Sequence, residues 1–226
     1  ECLYGDNCNG CTNPDAMNYE EDAVYDDGSC IVPDIIVPDD YSTIQGALNN
    51  AEEGQTIFVR AGIYYENIQW ANVDGIKLIG EDRETTTIDG GQNGNVIRVY
   101  PYTNEGNFVH TSDTVIDGFT IQNGSAFGNE GFWGTGQISQ GAGIYINYSS
   151  PQLKNLIIKD NYAALDVGGG VYYINNYRST SDIYFENIDF INNICESYGC
   201  GMYVQMSAYS WDNTYAYTAY MNSCNF

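Results

Sequence analysis

The C-terminal half of the chain is an internal repeat. An arm that joins glycines to an apolar residue and a tyrosine occurs three times, at 141–146, 168–173 and 199–204. The glycines at 143, 170 and 201 follow one another after 27 and 31 residues. This interval is too long for hairpins and too short for separate domains, so it predicts a solenoid with one coil per copy.

A second arm is apolar and ends in asparagine. It recurs at 119–123, 156–161 and 188–193, and begins again at 224–226. Both arms alternate with period two, which indicates strands with one buried face. If the coils stack, the inward columns are Ile144, Val171, Met202; Ile146, Tyr173, Val204; Phe119, Leu156, Ile188, Cys224; and Ile121, Ile158, Phe190, Phe226.

Glycine and asparagine occupy the predicted corners between strands. Glycine adopts the positive φ of a sharp turn without strain, and asparagine favours turns and has an amide to bond the neighbouring coil. The repeat therefore predicts an all-β parallel solenoid.

A column of tyrosines lies on the opposite side of the same strands. If Ile144 points inward, then Tyr145 points outward, and the repeat places Tyr172 and Tyr203 beside it. We expect an exposed aromatic ladder. It either stabilises the solenoid by ring contacts or meets sugar rings or another protein.

The charge of the chain is strongly negative. Thirty acidic residues against seven basic ones give a net charge of −23. Nucleic acid and acidic membranes are repelled by such a surface, and multivalent cations are attracted. No apolar run reaches the roughly 18 residues of a membrane span, so none is expected.

Residues 1–30 form a small acidic module with four cysteines, Cys2, Cys8, Cys11 and Cys30. A segment this short needs covalent support, and cysteines without histidine favour disulfides in an oxidising compartment over zinc. Three pairings are possible. We expect an exported, extracellular protein; a chain that opens on Glu1 rather than methionine fits a processed product or an excised piece.

Three further cysteines lie in the repeats. Cys195 and Cys200 flank one corner and are close enough in sequence to bridge it. Cys224 is then either an inward column residue or an unpaired thiol.

Calcium is the candidate ligand of the acidic module. Asp15, Asp22, Asp26 and Asp27 supply the hard oxygens that calcium prefers, although the spacing is not that of an EF-hand. The alternative is that these aspartates form Asx turns on a solvated acidic surface. The cysteine and aspartate pattern around 10–30 resembles a short motif of secreted proteins from aquatic bacteria.

The β-helix is expected to occupy 41–226, preceded at 31–40 by a linker or first edge strand rich in proline and β-branched residues. A short helix is predicted at about 42–52. Ser42 followed by Gln45 has the spacing of a capping box, and Gly54 follows its end.

The run PDDYSTIQGALNNAEEGQTIFVRAGIYYENI, followed by IKLIGEDRETTTIDG and VIDGFTIQNG, resembles the opening of right-handed parallel β-helix proteins of the pectin-lyase-like group. The resemblance covers most of 36–226. It implies that the short helix caps the N-terminal end of the solenoid, and that the chain has the fold of a group with many unrelated functions.

A catalytic site is not indicated. The stretch at 62–66 matches GxYxE of pectin methylesterases, but the aspartate and arginine segments of that family are absent, as are the motifs of polygalacturonases. His110 with Ser112 and Asp113 gives adjacency without triad geometry. Asp89 and Asp117 end comparable strands, where turn capping is the simpler role.

Two glycosylation sequons begin at Asn123 and Asn147. The chain stops at Phe226 within a repeated arm, which predicts that either further sequence or a neighbouring molecule covers that end, the latter giving head-to-tail assembly. The sequence favours a non-catalytic, structural or adhesive protein of a bacterial surface or fibre. The alternative is a polysaccharide-active enzyme or a carbohydrate-binding β-helix.

Overall fold

The chain is a right-handed parallel β-helix. The computed structural model describes residues 9–100, 110–126, 140–164, 167–176, 182–207 and 219–226. In chain order the elements are β1 Asn9–Gly10, β2 Tyr25–Asp26, β3 Ile35–Val37, α1 Ile44–Asn50, β4 Thr56–Val59, β5 Gly62–Tyr65, β6 Ile68–Gln69, β7 Lys77–Gly80, β8 Thr86–Asp89, β9 Ile97–Val99, β10 Val115–Asp117, β11 Thr120–Gln122, β12 Ser125–Ala126, β13 Ile144–Asn147, β14 Gln152–Lys159, β15 Tyr162–Ala163, β16 Val171–Asn176, β17 Ile183–Ile191, β18 Ile194–Cys195, β19 Met202–Ser207 and β20 Ala219–Asn222.

The strands form three long faces, and every named strand pair is parallel. Face 1 contains β3, β4, β7, β10, the first parts of β14 and β17, and β20. Face 2 contains β5, β8, β11 and the second parts of β14 and β17. Face 3 contains β6, β9, β13, β16 and β19. We count one rung for each strand of face 1 from β4 onward, so that rung 1 begins at β4 and rung 6 at β20.

In rungs 3 to 6 the corner between faces 1 and 2 turns at a single residue with positive φ. Gly118, Asn155, Asn187 and Ser223 all have φ between 48° and 81° there. Glycine, and to a lesser degree asparagine, tolerate this left-handed conformation. The asparagine amides also bond along the axis: Asn155 donates to Asp117 over 2.8 Å, and Asn187 donates to Asn155 over 2.8 Å.

The corner at the other edge of face 2 carries a second amide ladder. Asn123, Asp160 and Asn192 have positive φ, and the residue after each turns inward. The Asn161 side-chain nitrogen donates to Asn193 Oδ1 over 3.0 Å, while Asn161 Oδ1 accepts from the backbone of Gly124 over 2.8 Å. Bonds from the corner asparagines to neighbouring coils, expected from the sequence, are therefore present.

The predicted inward columns form the core. Ile144 pairs with Val171, and Val171 with Met202; the first two are fully buried, and Met202 packs against the core from its edge. Leu156 lies beside Ile188 and Ile158 beside Phe190. The rings of Phe190 and Phe226 stack with centroids 4.9 Å apart, but Phe226 is 76% exposed, so the inward position predicted for it is wrong. The solenoid predicted from the repeat is confirmed.

The capping helix is one residue out of step with the prediction. Thr43, rather than Ser42, is the N-cap, and its hydroxyl accepts from the Gly46 backbone over 3.1 Å. Gln45 does not close a capping box, because its side chain bonds to the Gln69 backbone of rung 1. Glu66 of the same rung accepts from the backbone nitrogens of Ile44 and Gln45, each over 2.9 Å. A tertiary contact therefore replaces the local one. Ile44, Ala47 and Leu48 are buried and close the N-terminal end of the core.

The N-terminal segment is held by a disulfide and joins the solenoid through an edge strand. Cys11 is bonded to Cys30, and Cys2 and Cys8 lie outside the described residues. Strand β3, within the expected linker 31–40, pairs with β4. In the described parts of the chain, no helix is long and apolar enough to cross a bilayer.

Candidate functional site

The histidine proposed from sequence as a catalytic neighbour is a buried structural residue. His110 is fully buried. Its Nε2 lies 2.7 Å from the Ala71 carbonyl oxygen, and its Nδ1 lies 2.8 Å from Ser149 Oγ. Because a carbonyl only accepts, Nε2 carries the proton, and in the neutral ring Nδ1 accepts from the Ser149 hydroxyl.

The residues expected beside His110, Ser112 and Asp113, do not form a catalytic site with it. Ser149, which replaces Ser112 beside the ring, is itself fully buried, so no substrate reaches it. Burial lowers the pKa of His110 and is only partly offset by the Ala71 carbonyl and Asp74. The ring therefore links three loops as a neutral group.

The two aspartates proposed as an acid and base pair are also occupied. Burial would raise the pKa of Asp89, but hydrogen bonds from Gln122, Gly91 and Asn123 hold it below its usual value. Burial raises the pKa of Asp117, against the Asn155 amide and Lys154. Asp89 caps the turn at Gly91, whereas Asp117 accepts from the Asn155 amide of the next rung.

The tyrosine column stacks as the repeat requires, but it is not exposed. The ring centroids of Tyr145 and Tyr172, and those of Tyr172 and Tyr203, are each 5.5 Å apart, with interplanar angles of 15° and 3°. Tyr145 and Tyr172 are each 5% exposed. The expectation of an exposed ladder is therefore wrong at these two positions.

The column is buried because other side chains pack around it. Val167 is part of the same cluster, and Tyr100 and Ile174 pack against it. The Arg98 guanidinium lies 5.3 Å from the ring centre of Tyr145 and 5.5 Å from that of Tyr100, within cation–π range. Burial raises the pKa of Tyr145. The stack is a second, smaller core on the outside of face 3.

Exposed apolar side chains concentrate on the last two rungs instead. We call the following residues the apolar flank, with exposed fractions of 36% for Tyr184, 43% for Ile191, 58% for Ile194, 74% for Tyr198 and 47% for Tyr220. The rings of Tyr184 and Tyr220 stack 4.8 Å apart at 4°. The sequence signal was weak, because Tyr220 lies outside the repeated glycine and tyrosine arm.

Cys195 and Cys200 stiffen the corner beside this flank. They form a disulfide across the turn that carries Tyr198. Cys224 of rung 6 is a free, half-buried thiol that packs against the core.

Both sequon asparagines are engaged in the folded chain. The Asn123 amide donates to Asp89 over 2.8 Å, and the Asn147 amide donates to the Tyr145 hydroxyl over 3.1 Å. The sequon serines, Ser125 and Ser149, are buried. Glycan attachment requires an accessible site, so the folded structure argues against both positions.

The aspartates proposed for calcium do not converge. Asp26 and Asp27 accept from the backbone nitrogens of Gly28 and Ser29, over 2.8 and 2.9 Å, as Asx turns do. Hydrogen bonding by Ser29 holds the pKa of Asp27 below its usual value. Within the described ranges, which include Asp15 and Asp22, no group of three or more acidic, histidine or cysteine side chains is arranged to hold a metal ion.

Comparison with known proteins assigns no family to this chain. No protein-family model and no curated protein matches it. Among solved structures, it is similar to the pectin methylesterase PemA from Erwinia chrysanthemi, with 13% identity over 70% of this chain and 54% of that chain and a TM-score of 0.43.

Two further structures show the same degree of likeness. One is a pectin methylesterase mutant in complex with a hexasaccharide, with 12% identity over 78% and 67% of the two chains and a TM-score of 0.42. The other is the pectin methylesterase from carrot, with 13% identity over 85% and 83% and a TM-score of 0.38. The likeness concerns the parallel β-helix; the esterase activity is that of those proteins.

Proposed function

We propose that this chain is a non-catalytic, extracellular β-helix with a structural or adhesive role, and that the apolar flank is its contact surface. The observation that carries the proposal is the position of that flank. Its five side chains lie on rungs 5 and 6, with Tyr184 and Tyr220 on face 1 and the other three at and beyond the far end of face 2, whereas Tyr145 and Tyr172 on face 3 of rungs 3 and 4 are covered. Large exposed apolar side chains are the kind of surface through which proteins contact partners.

The state of the titratable groups supports the same proposal. Hydrogen bonds that hold loops or corners already engage the side chains of His110, Asp89 and Asp117. A catalytic acid or base needs access to substrate as well as a tuned pKa. The disulfides Cys11–Cys30 and Cys195–Cys200 suit an oxidising, extracellular location.

The test compares two double variants. Replacing Ile194 with Asp and Tyr198 with Ser disrupts the apolar flank, while the matched control replaces Ile63 and Tyr65 with serine. The control residues are 59% and 75% exposed but lie at the other end of the solenoid. Light scattering and electron microscopy measure self-association, and retention on protein-coated surfaces measures adhesion.

We expect the wild type to self-associate or adhere, the flank variant to lose this behaviour, and the control to retain it. If both variants self-associated and adhered to the same extent, the apolar flank would not be the contact surface. The alternative, a polysaccharide-active enzyme, is addressed by incubation with acidic and neutral polysaccharides, followed by assays for reducing ends and unsaturated products. Turnover in that assay would overturn the non-catalytic role.

A further inference from the structure

Two phenol rings lie face to face on the outer side of face 1. Tyr184 of β17 and Tyr220 of β20 are in register, so both side chains extend from the same column of neighbouring rungs. Their ring centroids are 4.8 Å apart and their planes differ by 4°. The rings are 36% and 47% exposed. A small reagent in solution can therefore reach both phenols while the strands hold them together.

Other exposed tyrosines lack the neighbouring ring. Tyr65 and Tyr198 are 75% and 74% exposed, but neither stacks on another ring among the described residues. In the same part of the chain, Tyr184 and Tyr220 are the stacked tyrosine pair in which both rings are exposed by a third or more. Reactions that need two accessible phenols at short range within one chain therefore favour this pair.

The covered column on face 3 has the neighbouring ring without the access. Tyr145 and Tyr172 stack at 5.5 Å but are each 5% exposed, and Val167 packs in the same cluster. The Arg98 guanidinium lies 5.3 Å from the ring centre of Tyr145, and its positive charge opposes removal of an electron from that ring. Enclosed rings also have no room to tilt toward one another.

Adjacent phenols are the substrate of oxidative coupling. A one-electron oxidant takes an electron from each phenol, the phenolic protons pass to water, and two tyrosyl radicals remain. These radicals join through the ring carbons next to the hydroxyls. The hydrogens on the joined carbons then move to the oxygens, which restores both aromatic rings and both hydroxyls. The protein loses two hydrogen atoms in all, and one hydrogen peroxide is reduced to two waters when a haem peroxidase is the oxidant.

We propose that Tyr184 and Tyr220 form a modification site at which a haem peroxidase and hydrogen peroxide join the two rings by a carbon–carbon bond within one chain. Stacking at one rung spacing leaves only a tilt of the rings between the folded geometry and the bond. Room for that tilt exists on the outer side, because Met221 and Asn222 beside Tyr220 are exposed as well.

The bond would staple the last rung to the rest of the solenoid. Among the described strands, β20 pairs with β17 alone, so rung 6 is held from one side. A link between positions 184 and 220 closes a loop of 36 residues and restricts the unfolded chain as a disulfide does. Both tyrosines belong to the apolar flank, but the inference does not rest on the proposed adhesive role, because the bond needs no partner.

The experiment treats the folded protein at low concentration with a haem peroxidase and hydrogen peroxide. Dityrosine fluorescence measures the yield. Mass spectrometry follows reduction of the disulfides and cleavage after glutamate, because Glu186 and Glu196 separate the two tyrosines. We expect a monomer lighter by two hydrogens, with the peptides of Tyr184 and Tyr220 joined, at a yield that does not change on dilution. The midpoint of thermal unfolding should rise by roughly 5–10 °C.

Two conservative variants locate the reaction. Tyr220→Phe keeps a stacked ring but has no phenol to oxidise, so it should lose the cross-link and the rise in thermal midpoint. Tyr198→Phe, the matched control, removes an exposed phenol of the same flank that has no stacked neighbour, and should react as the wild type does.

A wild-type yield of cross-link in Tyr220→Phe would overturn the proposal. Covalent dimers as the main product, or a bond through a different tyrosine pair, would also overturn it. Because Tyr220→Phe keeps the ring that the flank presents, loss of cross-linking with unchanged adhesion separates this site from the proposed contact surface. Cross-linking in a wild type that neither adheres nor self-associates would reject the adhesive role alone.

Discussion

Two tyrosine stacks in this molecule have nearly the same local geometry and opposite environments. On face 3, Tyr172 stacks between Tyr145 and Tyr203 at 5.5 Å and is 5% exposed. On face 1, Tyr184 and Tyr220 stack at 4.8 Å and are 36% and 47% exposed. Stacking follows from the register of the rungs, whereas burial depends on what packs from outside.

The difference teaches that an in-register column is not itself a sign of a binding surface. Parallel rings stacked along the axis turn their faces toward one another and leave edges and hydroxyls at the surface. Packing around the stack of face 3 makes it a stabilising element. The stack of face 1 has no such cover among the described residues near it, which leaves its rings available to a partner.

The largest change in the free energy of unfolding is expected from a substitution in the covered stack. Tyr172→Ala should lower the free energy of unfolding by about 3–5 kcal/mol, because it removes a buried ring and leaves a cavity. Urea denaturation followed by tryptophan fluorescence measures this. Tyr172→Phe keeps the ring and should retain most of the stability; an alanine effect below about 1 kcal/mol would show that the column is not a core.

A smaller effect is expected from the cation at the end of that stack. Arg98→Met keeps an aliphatic side chain but removes the guanidinium that lies over Tyr145 and Tyr100. We expect a loss of about 1 kcal/mol, measured in the same denaturation experiment. In combination with Tyr145→Leu, the two losses should be less than additive. Full additivity would contradict a contact between them.

The buried His110 should also make the free energy of unfolding depend on pH. The pKa of His110 is lower in the folded chain than the ordinary value of 6.5, so the unfolded chain binds a proton more readily. The stability due to the neutral ring is present above about pH 6.5 and is lost as pH falls through the folded pKa.

His110→Gln tests this dependence. Glutamine retains a donor and an acceptor without a titratable ring, so the difference in stability between pH 7.5 and pH 5.5 should be smaller than in the wild type. Denaturation at both pH values gives the comparison. An unchanged pH dependence would mean that other groups, chiefly the carboxylates, account for it.

The smallest effect is expected on the open stack. Tyr220→Ala removes a half-exposed ring, so the loss of stability should stay below about 1 kcal/mol while adhesion through the flank weakens. Thermal denaturation and the surface-retention assay are read together. A loss as large as that of Tyr172→Ala would erase the distinction between the two stacks.

The repeat predicts the rungs and the inward columns because strand pairing fixes which side chains become neighbours. Ile144, Val171 and Met202 needed only their spacing and alternation to be placed. The cover over Tyr145 escaped prediction because the Arg98 strand, although it pairs in register with Tyr145, lacks the glycines and tyrosine by which the repeat was recognised. The helix cap shifted to Thr43 for another reason: Glu66, from a different rung, supplies the acceptor that a local motif would have supplied.

The candidate sites were less predictable than the fold. Tyr184 and Tyr220 are 36 residues apart in sequence and become neighbours only when β17 pairs with β20. Asp26 and Asp27 looked equally suited to a metal and to turns. Only the structure shows that they accept hydrogen bonds from the backbone nitrogens two residues further on.

The two corners that bound face 2 are separated by the same number of residues in three rungs. Gly118 precedes Asn123, Asn155 precedes Asp160 and Asn187 precedes Asn192, always by five positions, whereas the stretches from one such pair to the next differ in length. Among these three rungs the changes in length therefore lie outside face 2. New loops inserted along the remaining edges would diversify the outer surface while the buried columns stay aligned.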